Sequence, residues 1–282
     1  MTPNAAQIGA WDGPAGERWV VQAERHDRMG RGFTEAVIGR LAPQPGEHIL
    51  EIGCGNGALA LGLGAVAGPG GSVTGLDISG PMLAEARRRA RIQGAGNVVL
   101  EKGDAQVCQL PAAHFDAAVS RFGVMFFDDP AAAFANIGHA VKPGGRLVFC
   151  CWQELLRNDW IMIPAGAALQ HVPVPDLGDP GDPGAFSMAD QERLRRILSD
   201  ASWTEIVVEE VIRPMRMGDS VDDTMEYLRD SEIADTLMKN VDRITAVRAW
   251  AAVADALEAH TTPEGGVVLN GVAWLVSATW PG

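Results

Sequence analysis

The stretch from His48 to Gly57 reads HILEIGCGNG and runs on into ALALGLGAVAG. A short apolar run ends in glycines at alternate positions, and an alanine- and leucine-rich helical stretch follows. That pattern predicts a strand, a tight turn and a helix. Such a turn presents backbone N–H groups at the carboxyl end of a sheet, where open α/β sheets bind nucleotides. The chain then repeats the same order. GSVTGLD is strand-like, and SGPMLAEARRRARIQG is helical, with Ser79 as N-cap and Pro81 in its first turn. NVVLEKGDA, FDAAVSRFG, a helix near PAAAFANIGHAV and the strand GRLVFCCW complete the alternation. Strand–helix alternation of this kind predicts an α/β fold, a doubly wound, mostly parallel sheet with helices on both faces.

After Trp152 the pattern changes. Residues 153–189 are rich in proline, glycine and aspartate (VPVPDLGDPGDPG), so no regular core element is expected there. The helix-like run MADQERLRRILSDA leads into WTEIVVEEVIRPM. A second helical insertion covers roughly 219–262, and GVVLNGVAWLVSATW closes the chain as a strand. Two late strands joined by a long excursion suggest an antiparallel pair at the sheet edge, with the excursion as part of a lid. The expected organisation is an N-terminal helical lid over 1–44 and a ligand-binding core over 45–152. A cap insertion with a linking helix follows over 153–202, and the terminal strands with their helical insertion fill 203–282.

Composition excludes several classes. Thirty-six acidic against 23 basic residues give a net charge of −13, and such a surface repels a phosphate backbone. Nucleic acid is therefore not an expected partner. The apolar runs are broken by glycine or charge, and the first residues lack a basic patch and apolar core, so neither a membrane span nor a secretory signal is expected. The expected location is the cytoplasm. Cys54, Cys108, Cys150 and Cys151 form no CxxC pair. Asp128 and Asp129 precede a proline and read as a turn and helix N-terminus. No metal is expected.

Glu51 narrows the ligand. Gly53-x-Gly55-x-x-Ala58, with Asp77 about 20 residues on, formally satisfies a dinucleotide fingerprint. A carboxylate two residues before the first glycine would repel a pyrophosphate and attract an ammonium. S-adenosylmethionine carries an ammonium and no phosphate. The motifs LEIGCGNG, GLDIS, KGDA and VKPGGRLVF, in this order and spacing, resemble those of class I S-adenosylmethionine-dependent methyltransferases, over about residues 45–152. The resemblance implies a Rossmann-like, seven-stranded sheet with an antiparallel terminal hairpin and helical lids. It implies that Glu51 holds the methionine ammonium, and that Gly53, Cys54, Gly55 and Gly57 line the methionine and ribose. Asp77 would take the ribose hydroxyls, with Ile78 and Met82 beside the adenosine. Asp104 would accept the adenine amino group next to Ala105, and Arg121 and Phe122 would lie near the carboxylate and the methyl.

Methyl transfer by in-line displacement needs a nucleophile about 3 Å from the methyl, aligned with the leaving sulfur and shielded from water. Trp11, Trp19, Phe33, Trp152 and Trp160 are candidates for the pocket lining, and Phe126 and Phe127 read better as core. Where a general base is used, His26 and His171 are the histidines in expected lids, and Tyr227, the one tyrosine, lies in the second insertion. Trp19 and His26, seven apart, share a helix face. The expected function is methyl transfer to the O, N or C atom of a small molecule, by a monomer or homodimer. The overall look is similar to bacterial methyltransferases of secondary metabolism and of quinone synthesis. A cyclase that keeps S-adenosylmethionine as a fixed positive charge, a nicotinamide-dependent oxidoreductase and a non-catalytic cofactor-binding partner are the alternatives.

Overall fold

The computed structural model describes residues 3–176 and 178–282. Met1 and Thr2 of the expected lid and Leu177 of the expected cap lie outside the described residues. Seven strands form one sheet in the order β3-β2-β1-β4-β5-β7-β6. They are β1 (His48–Ile52), β2 (Ser72–Asp77), β3 (Val98–Lys102), β4 (Phe115–Arg121), β5 (Val141–Trp152), β6 (Thr204–Gly218) and β7 (Val267–Thr279). The pairs among β1 to β5 are parallel, and β7 runs antiparallel to both β5 and β6. This is the doubly wound sheet with a terminal hairpin that the sequence predicts. The order reverses between β1 and β4, so a crevice opens at their carboxyl ends.

The central strands are covered on both faces, which is why they read as continuous apolar runs. Ile49 and Leu50 of β1 and Ala117, Ala118 and Val119 of β4 are fully buried. Helices α4 (Ala58–Ala67), α5 (Gly80–Gln93) and α6 (Pro130–Ala140) are the crossovers. Ser79 caps α5 by accepting from the Met82 N–H, and Asp129 caps α6 by accepting from the Ala132 N–H. Helix α8 (Gln191–Asp200) buries Leu194, Ile197 and Leu198, the i, i+3, i+4 stripe of an amphipathic helix.

The N-terminal segment is three helices, α1 (Ala5–Trp11), α2 (Pro14–Val21) and α3 (Ala23–Leu41). They divide in function. Phe33, Val37 and Leu41, one turn apart, are 0%, 0% and 1% exposed, so the second half of α3 is a layer of the core. Helices α1 and α2 instead lie at the carboxyl ends of the strands. The segment after Trp152 differs from expectation. It contains α7 (Asp159–Ala168), which buries Ile161, Pro164, Ala165, Ala167 and Ala168. The breakers that dominate its composition fall after residue 172, and the single Pro164 only forfeits one helical hydrogen bond while burying its ring. No helix among the described residues is long and apolar enough to cross a membrane.

The excursion between β6 and β7 folds as α9 (Val221–Arg229), α10 (Glu232–Leu237) and α11 (Arg243–Glu258). A half-buried fork ties it to the N-terminal helices. Arg25 of α3 reaches the Asp223 carboxylate with Nη2 at 2.6 Å and Nη1 at 3.1 Å, and Nη1 also donates to the Met217 carbonyl at 2.6 Å. Replacing Asp223 with alanine strands that guanidinium, which should cost about 1–2 kcal/mol. The expected result is faster amide exchange in α9 and α3, with exchange in β1 and β4 unchanged; equal acceleration everywhere would show that the fork does not hold the excursion locally.

Candidate cofactor and acceptor site

The loop after β1 is held open by glycine. Gly53, Gly55 and Gly57 have φ of 67°, 52° and 84°, which other residues adopt only with strain. A Cβ on Gly53 would stand 2.7 Å from the Gly123 Cα, and one on Gly55 would stand 2.8 Å from Met82 Cε. The glycines are thus required by the loop's own conformation and its packing on the β4 turn and α5. The Gly55 N–H donates to Asp77 Oδ2 at 2.7 Å, and the Ser79 N–H donates to Oδ1 at 2.8 Å. Asp77, at the end of β2, is therefore locked against the glycine loop. Burial raises its carboxyl pKa in spite of those two bonds. Cys54 is buried with its thiol pushed well above the ordinary range, so it packs without reacting. Ile78 is half-buried and Met82 buried beside the loop.

Glu51 is 2% exposed on β1, and its Oε2 has no hydrogen-bond partner. Burial, only partly opposed by the nearby Arg121 charge, pushes its carboxyl up to about 8. Arg121 ends β4 and lies across α3. Its Nη1 donates to Thr34 Oγ1 at 3.0 Å, and a Cβ on Gly30 would be 2.7 Å from that nitrogen. Phe122, next in sequence, has φ of 63°, a strained backbone for an aromatic residue. Its ring stacks on Trp152 at 4.0 Å and 13°.

At the other end of the crevice Asp104 is engaged by the chain's own N-terminus. Asn4 Nδ2 donates to both Asp104 oxygens at 2.9 and 2.8 Å, while Asn4 Oδ1 accepts from the Asp128 N–H at 2.6 Å. The loop is pinned from below, where Asn136 Nδ2 donates to the carbonyls of Ala105 and Cys108. Asp12 reaches the start of α5, accepting from the Gly80 N–H and from Lys102. Asn56 donates to the Trp19 carbonyl, and its own Oδ1 is buried without a partner. Nothing local in the sequence marks Asn4, Asn56, Thr34 or Gly30, because each acts through a partner distant in the chain.

The five aromatics expected to line a pocket fall into two groups. Trp11 meets Trp19 and Phe126 edge-on, and Trp19 packs on the His26 ring at 3.9 Å. Trp152 contacts Phe122, Phe33 and Trp160. Phe33 is fully buried, so it supports these rings from behind and offers no surface of its own. Phe127 packs on Phe134. His26 and Tyr227 come together across 201 residues, with the hydroxyl 3.3 Å from Nε2. His171 does not join them; it is exposed in the turn after α7. Among the described residues no group of three or more His, Cys, Asp or Glu side chains could hold a metal ion.

The burial of Glu51 costs the fold stability as pH rises. Below its unfolded value of 4.5 both states are protonated. Between 4.5 and about 8 the unfolded chain has lost the proton that the folded chain keeps. Each pH unit in that window therefore costs the fold about 1.4 kcal/mol. Glu51→Gln removes the slope. In thermal melts without ligand the variant should gain little over the parent at pH 5 and several degrees at pH 8; a gain independent of pH would contradict the assignment.

The likenesses to known proteins agree with this geometry. Residues 49–145 match the family described as "Methyltransferase domain". A demethylmenaquinone methyltransferase of Corynebacterium kroppenstedtii is 31% identical over 182 residues, covering 62% of this chain and 75% of that protein. An aklanonic acid methyltransferase of a Streptomyces species is 35% identical over 128 residues, 44% of this chain and 58% of that one. A nocamycin O-methyltransferase of Saccharothrix syringae is 33% identical, and the chain spans 45% of its length. Among solved structures the YcgJ protein of a Bacillus shares the fold at a TM-score of 0.57 and 15% identity, over 88% of this chain and 98% of that one. The [4+2]-cyclase SpnF shares it at 0.54 and 24%, over 89% and 82%. From the glycine loop, the strand order and these relatives, the chain belongs to the class I S-adenosylmethionine-dependent methyltransferases.

Proposed function

We propose that this chain transfers the methyl group of S-adenosylmethionine to a small-molecule acceptor enclosed beneath the α1–α2 and α9–α11 lids. The observation that carries the reading is the unpartnered Oε2 of Glu51, a buried carboxylate at the sheet's switch point. A group placed there at such cost fits a cationic ligand and opposes a pyrophosphate.

The residues present fit the cofactor. Glu51 would hold its ammonium and Arg121 would face its carboxylate. Asp77, fixed by the Gly55 and Ser79 amides, keeps lone pairs free for the ribose hydroxyls. Asp104 and the Ala105 segment would hold the adenine edge, after Asn4 yields the carboxylate. Gly53, Gly55, Gly57, Cys54, Ile78 and Met82 would shape the walls. When bound, S-adenosylmethionine supplies a methyl group activated by its sulfonium. The chain's own contribution is to align the acceptor and keep out water, through Phe122, Trp152 and Trp160 on one side and Trp11 and Trp19 on the other. The net charge of −13 and the enclosing lids support a free small molecule over nucleic acid. The relatives named as an aklanonic acid methyltransferase, a nocamycin O-methyltransferase and a demethylmenaquinone methyltransferase support a small-molecule acceptor, one of the names giving oxygen as the acceptor atom.

Titration calorimetry with S-adenosylmethionine, S-adenosylhomocysteine and NADH tests the cofactor. Both adenosyl ligands should bind, NADH should not, and Glu51→Gln should lose at least about tenfold in affinity for them. Binding of NADH alone would sink the reading. The pH dependence follows from Glu51, whose carboxyl must give up its proton to meet the ammonium. Affinity should climb as pH rises from 6 toward 8 and fall beyond, where the ligand's own α-ammonium, of pKa about 8, is lost.

A further inference from the structure

His26 has the position of a general base and the surroundings of something else. It opens α3, with its ring against Trp19 at 3.9 Å and Tyr227 edge-on at 5.8 Å. Burial and the Arg121 charge hold it neutral at physiological pH, with its pKa down to about 4; the nearby Trp19 carbonyl pulls the other way, and Arg25 adds to the lowering. The Tyr227 hydroxyl meets Nε2 at 3.3 Å, and Nδ1 is buried with no partner.

Two protons are shared by this pair, one on the phenol and one on the neutral imidazole. If the phenol donates to Nε2, the imidazole proton is on Nδ1, and that N–H is the one group left over. If Nε2–H donates to the phenol oxygen instead, both the phenol proton and the Nδ1 lone pair are stranded. The first arrangement strands fewer buried groups. Arg25, whose guanidinium lies 5.1 Å over the Tyr227 ring, holds that ring in place from Asp223.

Arg121 supplies the second donor. Its guanidinium crosses α3 at Gly30, one helical turn beyond His26 on the same face, and only the missing side chain there admits it. Its charge acts on Glu51 and on His26 alike. Arg121 thus lies within reach of both a carboxylate oxygen and an imidazole nitrogen that are buried without partners. That set complements a zwitterion with an ammonium and a carboxylate on one carbon.

We propose that His26 is a hydrogen-bond donor and not a base. With Tyr227 fixing Nε2, the Nδ1–H joins Arg121 in binding the carboxylate of the cofactor's amino-acid tail, opposite Glu51. The inference rests on the cofactor reading above. Tyr227 is then a positioning residue for His26, and neither removes a proton from the acceptor.

The test has two parts. Nitrogen-15 NMR of the histidine rings in the ligand-free protein should show His26 as the Nδ1–H tautomer, reverting to Nε2–H in Tyr227→Phe. The Nε2–H form in the parent protein overturns the proposal whatever the ligand. Calorimetry then compares S-adenosylhomocysteine with its decarboxylated analogue. His26→Phe, which keeps a ring on Trp19, should lose about tenfold on the first and less than about twofold on the second, with Tyr227→Phe losing less in the same direction. An equal loss on both ligands, or none, would make His26 a packing residue. If the parent bound neither ligand, the cofactor reading itself would fall and this assignment with it.

Discussion

A carboxylate buried beside a glycine loop with one oxygen unpaired is the constraint around which the crevice is built. Glu51 is buried where the Arg121 charge only partly offsets the loss of water and Asp77 adds repulsion, so the fold keeps its proton through the neutral pH range. Other features of the crevice follow from the need to hold that group dry and aimed. Three left-handed glycines turn the chain without covering it. Asp77 is braced by two amides, so it cannot relieve Glu51 by moving away. Arg121 is near enough to be felt and is held back by Thr34. Stability is given up at one point so that binding can recover it.

The elements that flank the crevice combine apolar packing with ion pairs. The sheet and its crossovers are held by apolar burial. The α9–α11 excursion buries Met225, Leu228, Val253 and Leu257. It also reaches the N-terminal helices through ion pairs, Arg25 of α3 with Asp223 and Arg18 of α2 with Glu232 and Asp235, while Asp12 meets Lys102 of β3. The ion pairs are individually weak, and the excursion's buried apolar side chains carry the larger share of its attachment.

How much of this was legible in the sequence depends on range. The parallel strands, the glycine loop, the Ser79 and Asp129 caps and the terminal hairpin are written in local patterns, and the structure carries them as read. Helix α7 was missed because prolines and glycines after residue 172 dominate the composition of a segment whose first part is apolar. The break within the N-terminal segment was missed because the lid helices and the core half of α3 share one periodicity. The contacts that matter most in the crevice join residues about 100 to 200 positions apart, as His26 with Tyr227 or Asn4 with Asp104. No window along the chain contains both partners, and their residue types are common.

If Asp104 meets the adenine as proposed, Asn4 gives that end of the crevice a thermodynamic character of its own. Its carboxamide offers Asp104 an N–H pair, as an exocyclic amine does, and accepts from a neighbouring amide as a ring nitrogen does. A base arriving at Asp104 would exchange one satisfied hydrogen-bond set for another, and the enthalpy of that exchange is close to zero. What such a site gains is discrimination. A base that cannot replace both bonds leaves a charge and an amide unsatisfied in place of an internal partner that fitted them. The chain's own asparagine thus sets the standard that any incoming base must match.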